Sequence, residues 1–326
     1  MQRLAKILFL LLLIIGCGSN AGSKVISSSG AVDPNSGNGN GNNGGNGGDN
    51  TIPDLTVELI SNYDDNTASF WTIFGNYTRQ FIVHTPPNYD SNNGPLPLVF
   101  VLHGYTGQAP IIRNYSGFDN IADEENFIVV YVQGVTDIAG TTGWNVDVVS
   151  TFDEVDDVGL FAALIKYFKA NYNIANDKIF STGMSLGGFM SYRLACELDE
   201  INSIGSVTGS MAVYYHCVPP NQKSIIHLHG TSDIVVPYNG NFWSMNVRNA
   251  HSFWANYNNC QNQSEVTVPD FNGDGVYSTQ LTSYNCDGSR EVILYSIENA
   301  GHTWFTKAGG YDVDASELIW EFFKDK

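Results

Sequence analysis

Six residues, Gly183-Met184-Ser185-Leu186-Gly187-Gly188, carry the strongest chemical signal in the chain. Their G-x-S-x-G spacing suits a serine nucleophile on a sharp strand-to-helix turn. In so tight a turn Ser185 takes an unfavourable backbone conformation, and its neighbours two positions away must lack Cβ atoms. The following helix would aim its positive end at an oxyanion forming beside the hydroxyl. A hydroxyl is a weak nucleophile, so it needs a base, and the base needs an acid to orient it. The apolar run Ile225-Ile226-His227-Leu228-His229 leads into Gly230-Thr231-Ser232-Asp233, which places Asp233 just past a strand end. His302 lies in Glu298-Asn299-Ala300-Gly301-His302-Thr303-Trp304, between the last strand and the last helix. Nucleophile, acid and histidine in that chain order form one of the recurrent triads. His84, His103, His216, His227, His229 and His251 precede or flank other features and are weaker candidates. Two N–H groups must then converge on the oxyanion. One is expected from Leu186. The other is expected from His103-Gly104-Tyr105-Thr106-Gly107, with Tyr105 the first choice and Thr106 the next.

These residues need a scaffold that brings distant strand ends together. Arg79–Thr85, Pro97–Leu102, Phe127–Val132, Lys178–Thr182, Ser206–Val207, Ile225–His229 and Val292–Ile297 are short and rich in β-branched or aromatic residues, which predicts strands. Asp157 offers an N-cap to a helix carrying Phe161, Leu164, Ile165 and Phe168. An apolar helix follows the Ser185 corner through Leu194, and Asp314–Phe323 closes the chain with Leu318, Ile319 and Phe322 on one face. Strands separated by helices predict βαβ units and a mostly parallel sheet with helices on both faces.

Composition narrows the partners. The 326 residues carry 15 Lys and Arg against 33 Asp and Glu, a formal charge of −18. That excludes a nucleic-acid binder, which needs clustered basic charge, and it opposes docking on anionic lipid. A neutral substrate fits better than a polyanion. The N-terminus has an address of its own. Arg3 and Lys6 precede the apolar run Ile7–Ile15, as in a signal peptide. The run ends Ile14-Ile15-Gly16-Cys17, which resembles a bacterial lipobox with cleavage before a lipidated Cys17; Gly18 in place of Asp points to the outer membrane. Residues 1–16 are thus expected as a lipoprotein signal peptide. Residues 17–50, rich in Gly, Asn and Ser, are expected as a tether with too little apolar surface to order itself. Residues 51–326 are expected as the catalytic domain. The location expected is the cell envelope, lipid-anchored, or secreted, with membrane contact through the N-terminal lipid only.

Several stretches together resemble the secreted esterases that group poly(3-hydroxybutyrate) depolymerases with feruloyl and acetylxylan esterases. They are Pro97-Leu98-Val99-Phe100-Val101-Leu102-His103-Gly104, Asp156-Asp157-Val158-Gly159, Gly183–Gly188, Arg193-Leu194-Ala195-Cys196, His229-Gly230-Thr231-Ser232-Asp233-Ile234-Val235-Val236-Pro237-Tyr238 and Gly301-His302-Thr303-Trp304. The resemblance implies an α/β-hydrolase fold, a Ser185–His302–Asp233 triad and the disulfides Cys196–Cys217 and Cys260–Cys286. One departure stands out: Phe305 and Thr306 occupy the place of a common Pro-Gly, at what should be the cleft rim.

The expected activity is a serine esterase, on feruloyl or acetyl esters of a neutral plant-type polysaccharide or its oligomers. A polyester depolymerase, a serine peptidase and a catalytically silent carbohydrate-binding protein are the alternatives. Trp144 and Trp304 are candidates to stack on an acyl or sugar ring. No cofactor and no metal are expected. His227 and His229 lack a third ligand. Asp270-Phe271-Asn272-Gly273-Asp274-Gly275 opens like a calcium loop but has Leu281 where the bidentate Glu should stand, so a polar hairpin turn is the reading.

Overall fold

The computed structural model describes residues 51–326, so the expected signal peptide, Cys17 and the tether lie outside the described residues. In chain order the strands are β1 (Val57–Asn62), β2 (Thr67–Phe74), β3 (Tyr77–His84), β4 (Leu96–Leu102), β5 (Ile128–Val132), the short pair β6 (Val135–Thr136) and β7 (Thr142–Gly143), β8 (Ile174–Met184), β9 (Ser203–Val207), β10 (Ser224–Gly230), β11 (Asn262–Thr267), β12 (Thr279–Tyr284) and β13 (Val292–Ile297). The helices are α1 (Ala109–Ser116), α2 (Phe118–Glu125), α3 (Asp157–Asn171), α4 (Leu186–Glu197), α5 (Val247–Tyr257) and α6 (Ala315–Lys324).

Eleven strands form one sheet in the order β1-β2-β3-β5-β4-β8-β9-β10-β13-β12-β11. The six from β5 to β13 pair in parallel. Antiparallel pairings flank them on both sides. The sheet is therefore mixed, and the expectation of a mostly parallel one holds only for its centre. The physical reason lies in burial. β4, β5, β9, β10 and β13 are apolar or small-residue runs covered on both faces, as parallel strands must be. β1 and β11 form the edges and are mostly exposed.

Alternation along β4 divides the core. Leu98, Phe100 and Leu102 face one cluster with Phe161, Phe168 and Leu194, from α3 and α4. Val99 and Val101 face the other with Ala109, Phe118, Ile319 and Phe323, from α1, α2 and α6. A period of two sends adjacent residues to opposite faces, so helices cover both sides of the sheet.

The helix around Phe161 begins at its expected cap, so the cap itself stands one residue earlier. Asp156 is the N-cap, accepting from the Gly159 N–H at 2.8 Å. Asp157 is buried instead and accepts from Arg79 Nη2 and the Asn145 N–H, each at 2.7 Å. Arg79 is itself buried on β3 and needs a counter-charge there. Asp314 caps α6 as expected, accepting from the Ser316 and Glu317 N–H groups. Among the described residues no helix is long and apolar enough to cross a membrane.

Both disulfides implied by the resemblance are formed. Cys196–Cys217 ties the end of α4 to a later loop, and Cys260–Cys286 ties the end of α5 to the end of β12.

Candidate active site

Parallel strands present all their C-terminal ends at one edge, and the loops leaving β4, β8, β10 and β13 meet there. Ser185 stands between β8 and α4 at φ 54° and ψ −122°. That is a sparsely populated conformation for a residue with a side chain, and it persists only where the surroundings enforce it. Here the Ser185 N–H donates to Val207 O at 2.8 Å, and Gly188 and Phe189 N–H groups donate back to Ser185 O. The close approaches explain the flanking glycines. A Cβ on Gly183 would lie 2.6 Å from the Gly187 carbonyl carbon, and one on Gly187 would lie 2.3 Å from Leu102 O.

Leu186 opens α4, so its N–H belongs to the first turn, where no helical carbonyl lies in reach. The β4 loop approaches from the other side. A Cβ on Gly104 would meet Ser185 Cβ at 3.1 Å and its Oγ at 3.7 Å, so this loop runs directly against the hydroxyl. The Thr106 N–H is engaged by Thr142 O at 2.9 Å.

Asp233 follows β10 and is buried. Its Oδ1 accepts from the Val235 and Val236 N–H groups at 2.8 and 2.9 Å. Its Oδ2 accepts from His302 Nδ1 at 2.7 Å and lies 3.4 Å from His229 Nε2. Burial raises its pKa, but the hydrogen bonds from His229 and His302 more than reverse this and hold the carboxyl well below the usual range. The His302 side chain is 15% exposed, so it is the member of the pair that solvent and substrate can reach.

His103, which the sequence offered only as a weak base, braces the β4 loop. Gly134 N–H donates to its Nε2 at 2.9 Å, so its proton sits on Nδ1, which donates to Gly104 O at 2.7 Å. Burial pushes its pKa down to about 4, which keeps it neutral in this role.

The two tryptophans do not line a cleft. Trp144 is fully buried; its Nε1 donates to His103 O at 2.8 Å and its ring tilts against the His103 ring at 5.0 Å. Trp304 is 2% exposed and donates to Ser316 Oγ at 3.0 Å. Neither offers a face to a bound ring, which corrects the expectation that they stack on substrate. Both brace loops. Phe305 is buried too, edge-on to Tyr311, so the departure from Pro-Gly fills the core and leaves the rim alone.

The exposed apolar side chains at this edge lie elsewhere. Ile234 directly follows Asp233 and is 90% exposed. Tyr115, half exposed at the end of α1, hydrogen-bonds Thr303 Oγ1 at 2.6 Å, next to His302. Phe242 is half exposed on the loop after β10. Nothing in their local sequence separates them from ordinary loop residues.

The Asp270 loop is a polar turn docked on the segment before α6, with the Phe271 N–H donating to Asp312 Oδ1 and Asn272 Nδ2 to Gly310 O, each at 2.7 Å. Asp270 Oδ1 and Oδ2 accept from the Gly273 and Gly275 N–H groups. Among the described residues no three His, Cys, Asp or Glu side chains cluster as metal ligands do.

The Esterase family model matches residues 76–273 of this chain. "Probable feruloyl esterase C" of Aspergillus flavus is 30% identical over 247 residues, covering 75% of this chain and 83% of that protein. "Bifunctional acetylxylan esterase/xylanase XynS20E" of Neocallimastix patriciarum is 26% identical over 69% of this chain, which spans only 31% of that longer protein. Among solved structures, an acetyl xylan esterase from Aspergillus awamori superposes with a TM-score of 0.50 at 14% identity, covering 82% of this chain and 99% of that one.

Proposed function

The chain belongs to the Esterase family and is a carboxylic ester hydrolase, and from that premise we propose that it cleaves feruloyl or acetyl esters on a plant-type polysaccharide through Ser185, His302 and Asp233. The observation that carries the triad is the pairing of a strained Ser185 at a strand end with a half-buried His302 held 2.7 Å from a buried Asp233. In this reading His302 Nε2 takes the Ser185 proton as Oγ attacks the ester carbonyl. The N–H groups of Leu186 and Tyr105 hold the oxyanion. His302 then protonates the departing alkoxide, and water repeats the cycle on the acyl-enzyme to release the acid. No step calls for a cofactor or a metal.

Substrate class rests on charge, relatives and surface. The acidic chain repels acidic polymers and tolerates neutral ones such as xylan. The relatives named for feruloyl and acetylxylan esters point the same way. Ile234, Tyr115 and Phe242 supply the exposed apolar surface that an acyl ring would cover. Two disulfides favour an oxidising compartment, in keeping with export and with lipid attachment at Cys17.

The test is a product screen on feruloylated arabinoxylan, acetylated xylan and poly(3-hydroxybutyrate), beside fluorophosphonate labelling of Ser185. Release of ferulate or acetate with labelling at Ser185 is expected. Release of 3-hydroxybutyrate alone would replace the substrate and keep the chemistry. Ester turnover without label at Ser185 would overturn the triad.

A further inference from the structure

Beneath the catalytic edge a file of buried side chains leads to Asp233 Oδ2, the oxygen that also meets His302. Tyr192 Oη on α4 lies 3.0 Å from His227 Nδ1. His227 Nε2 lies 3.0 Å from His229 Nδ1. His229 Nε2 lies 2.8 Å from Val236 O and 3.4 Å from Asp233 Oδ2. Both histidines are buried on β10.

Counting protons fixes the direction of the chain. Val236 O and the ionised Asp233 only accept, so His229 Nε2 carries a proton. A neutral His229 then offers a lone pair at Nδ1, which His227 Nε2 must fill with its own N–H. His227 Nδ1 is left as an acceptor, and the Tyr192 hydroxyl donates to it. The rival assignment makes His229 a cation and reverses the bonds behind it. It would set a second positive charge on the oxygen that must steady an imidazolium at His302. The groups facing the pair are Tyr192 from α4, the Gly209 backbone, which hydrogen-bonds His227 and favours its N–H, Tyr238 edge-on from the loop after β10, His251 from α5, and Asp233 with His302 beyond it. Arg248 and Glu265 act on His251 in turn. Burial, with the neighbouring His229, holds His227 well below the ordinary imidazole range.

The geometry also ties the turn together. The His229 N–H is hydrogen-bonded to the carbonyl of Val236 and lies within ion-pair distance of Asp233 Oδ2, while the Val236 N–H holds Asp233 Oδ1. We propose that His229 is a positioning residue for Asp233, kept in its Nε2–H tautomer by a one-way file of donors from Tyr192 through His227. The file fixes the angle at which the carboxylate meets His302 and shares its charge between two imidazole N–H groups. This rests on the triad reading above.

Two measurements test it. On the 15N-histidine-labelled protein, long-range proton–nitrogen correlations report each tautomer without any turnover. His227 and His229 are expected neutral and protonated at Nε2 at pH 7. A proton on Nδ1 of either overturns the proposal. The second measurement is kinetic, on a soluble aryl acetate. His229→Phe keeps the ring's bulk but loses the donor, and is expected to lower kcat by about 10- to 100-fold with KM changed by less than about twofold. The acid limb of its kcat/KM profile should move to higher pH, because the whole carboxylate charge then falls on His302. His229→Gln restores an N–H at the same reach and should recover most of kcat. Equal losses in the Phe and Gln variants with an unmoved acid limb would make His229 a packing residue and overturn the proposal. Should His229→Phe not fold, the tautomers and the Gln variant decide. Failure to label Ser185 would sink the triad reading while leaving the tautomer result in place.

Discussion

At the scale of single residues the site makes sharp demands. Ser185→Ala should abolish ester turnover and fluorophosphonate labelling while the melting temperature holds, because it removes one hydroxyl from a turn fixed by backbone contacts. His302→Ala should cost about as much, since triad members act as a unit. Near-normal turnover by either variant would refute the assignment. Ile234→Asp probes the rim. It places a charge beside the expected acyl site and should raise KM for an aryl ester with kcat nearly unchanged, as steady-state kinetics would report. The Ser185 turn and the meeting of Asp233 with His302 were legible because turn glycines, a strand end and chain order are local signals. Trp144 and Trp304 misled because an aromatic beside a functional residue reads alike whether its ring faces in or out. Only the contacts from Trp144 to His103 and from Trp304 to Ser316, distant in sequence, decide that. The exposure of Ile234, Tyr115 and Phe242 was illegible for the same reason.

At the scale of elements the glycines and the disulfides carry the testable load. Gly187→Ala would press a Cβ onto Leu102 O and His103 O, at 2.3 and 2.7 Å. Pushing β4 and its loop aside should cost about 1–3 kcal/mol and lower kcat/KM with it. Denaturant midpoints and kinetics on the same variant check both. Replacing Cys260 and Cys286 with Ser reopens a 26-residue loop and should cost about 3 kcal/mol, read as a lower denaturation midpoint. The central strands were legible as apolar runs, and β13 matches its expected bounds. β11 was not, since Asn262–Thr267 is exposed throughout and polar but for Val266, and an edge strand with solvent on both faces shows no alternation. The cap at Asp156 was misread by one residue because two adjacent aspartates offer the same side chain. Burial of Arg79 claims the second.

At the scale of the whole molecule, buried neutral histidines tie stability to pH. Burial lowers the pKa of His103 to about 4, of His227 well below the imidazole range, and of His251. In the unfolded chain each titrates near ~6.5. As pH falls through ~6.5 the unfolded state therefore binds protons that the folded state refuses, and stability drops. Each histidine contributes a slope of at most about 1.4 kcal/mol per pH unit on the acid side. Guanidinium midpoints should fall from pH 7 to pH 5, and His251→Phe should flatten that fall. A midpoint independent of pH over this range would contradict it. The sheet order has a consequence for how the chain reaches this state. β10 ends at Gly230, yet its parallel neighbour β13 begins only at Val292, after α5, β11 and β12. His302 therefore arrives beside Asp233 only once that long excursion has closed, so under the proposed triad hydrolytic competence comes late in folding. The Cys260–Cys286 bridge cuts the excursion short. Its loop-closure entropy falls by about half a kcal/mol, so activity should return faster from the oxidised unfolded chain than from the reduced one.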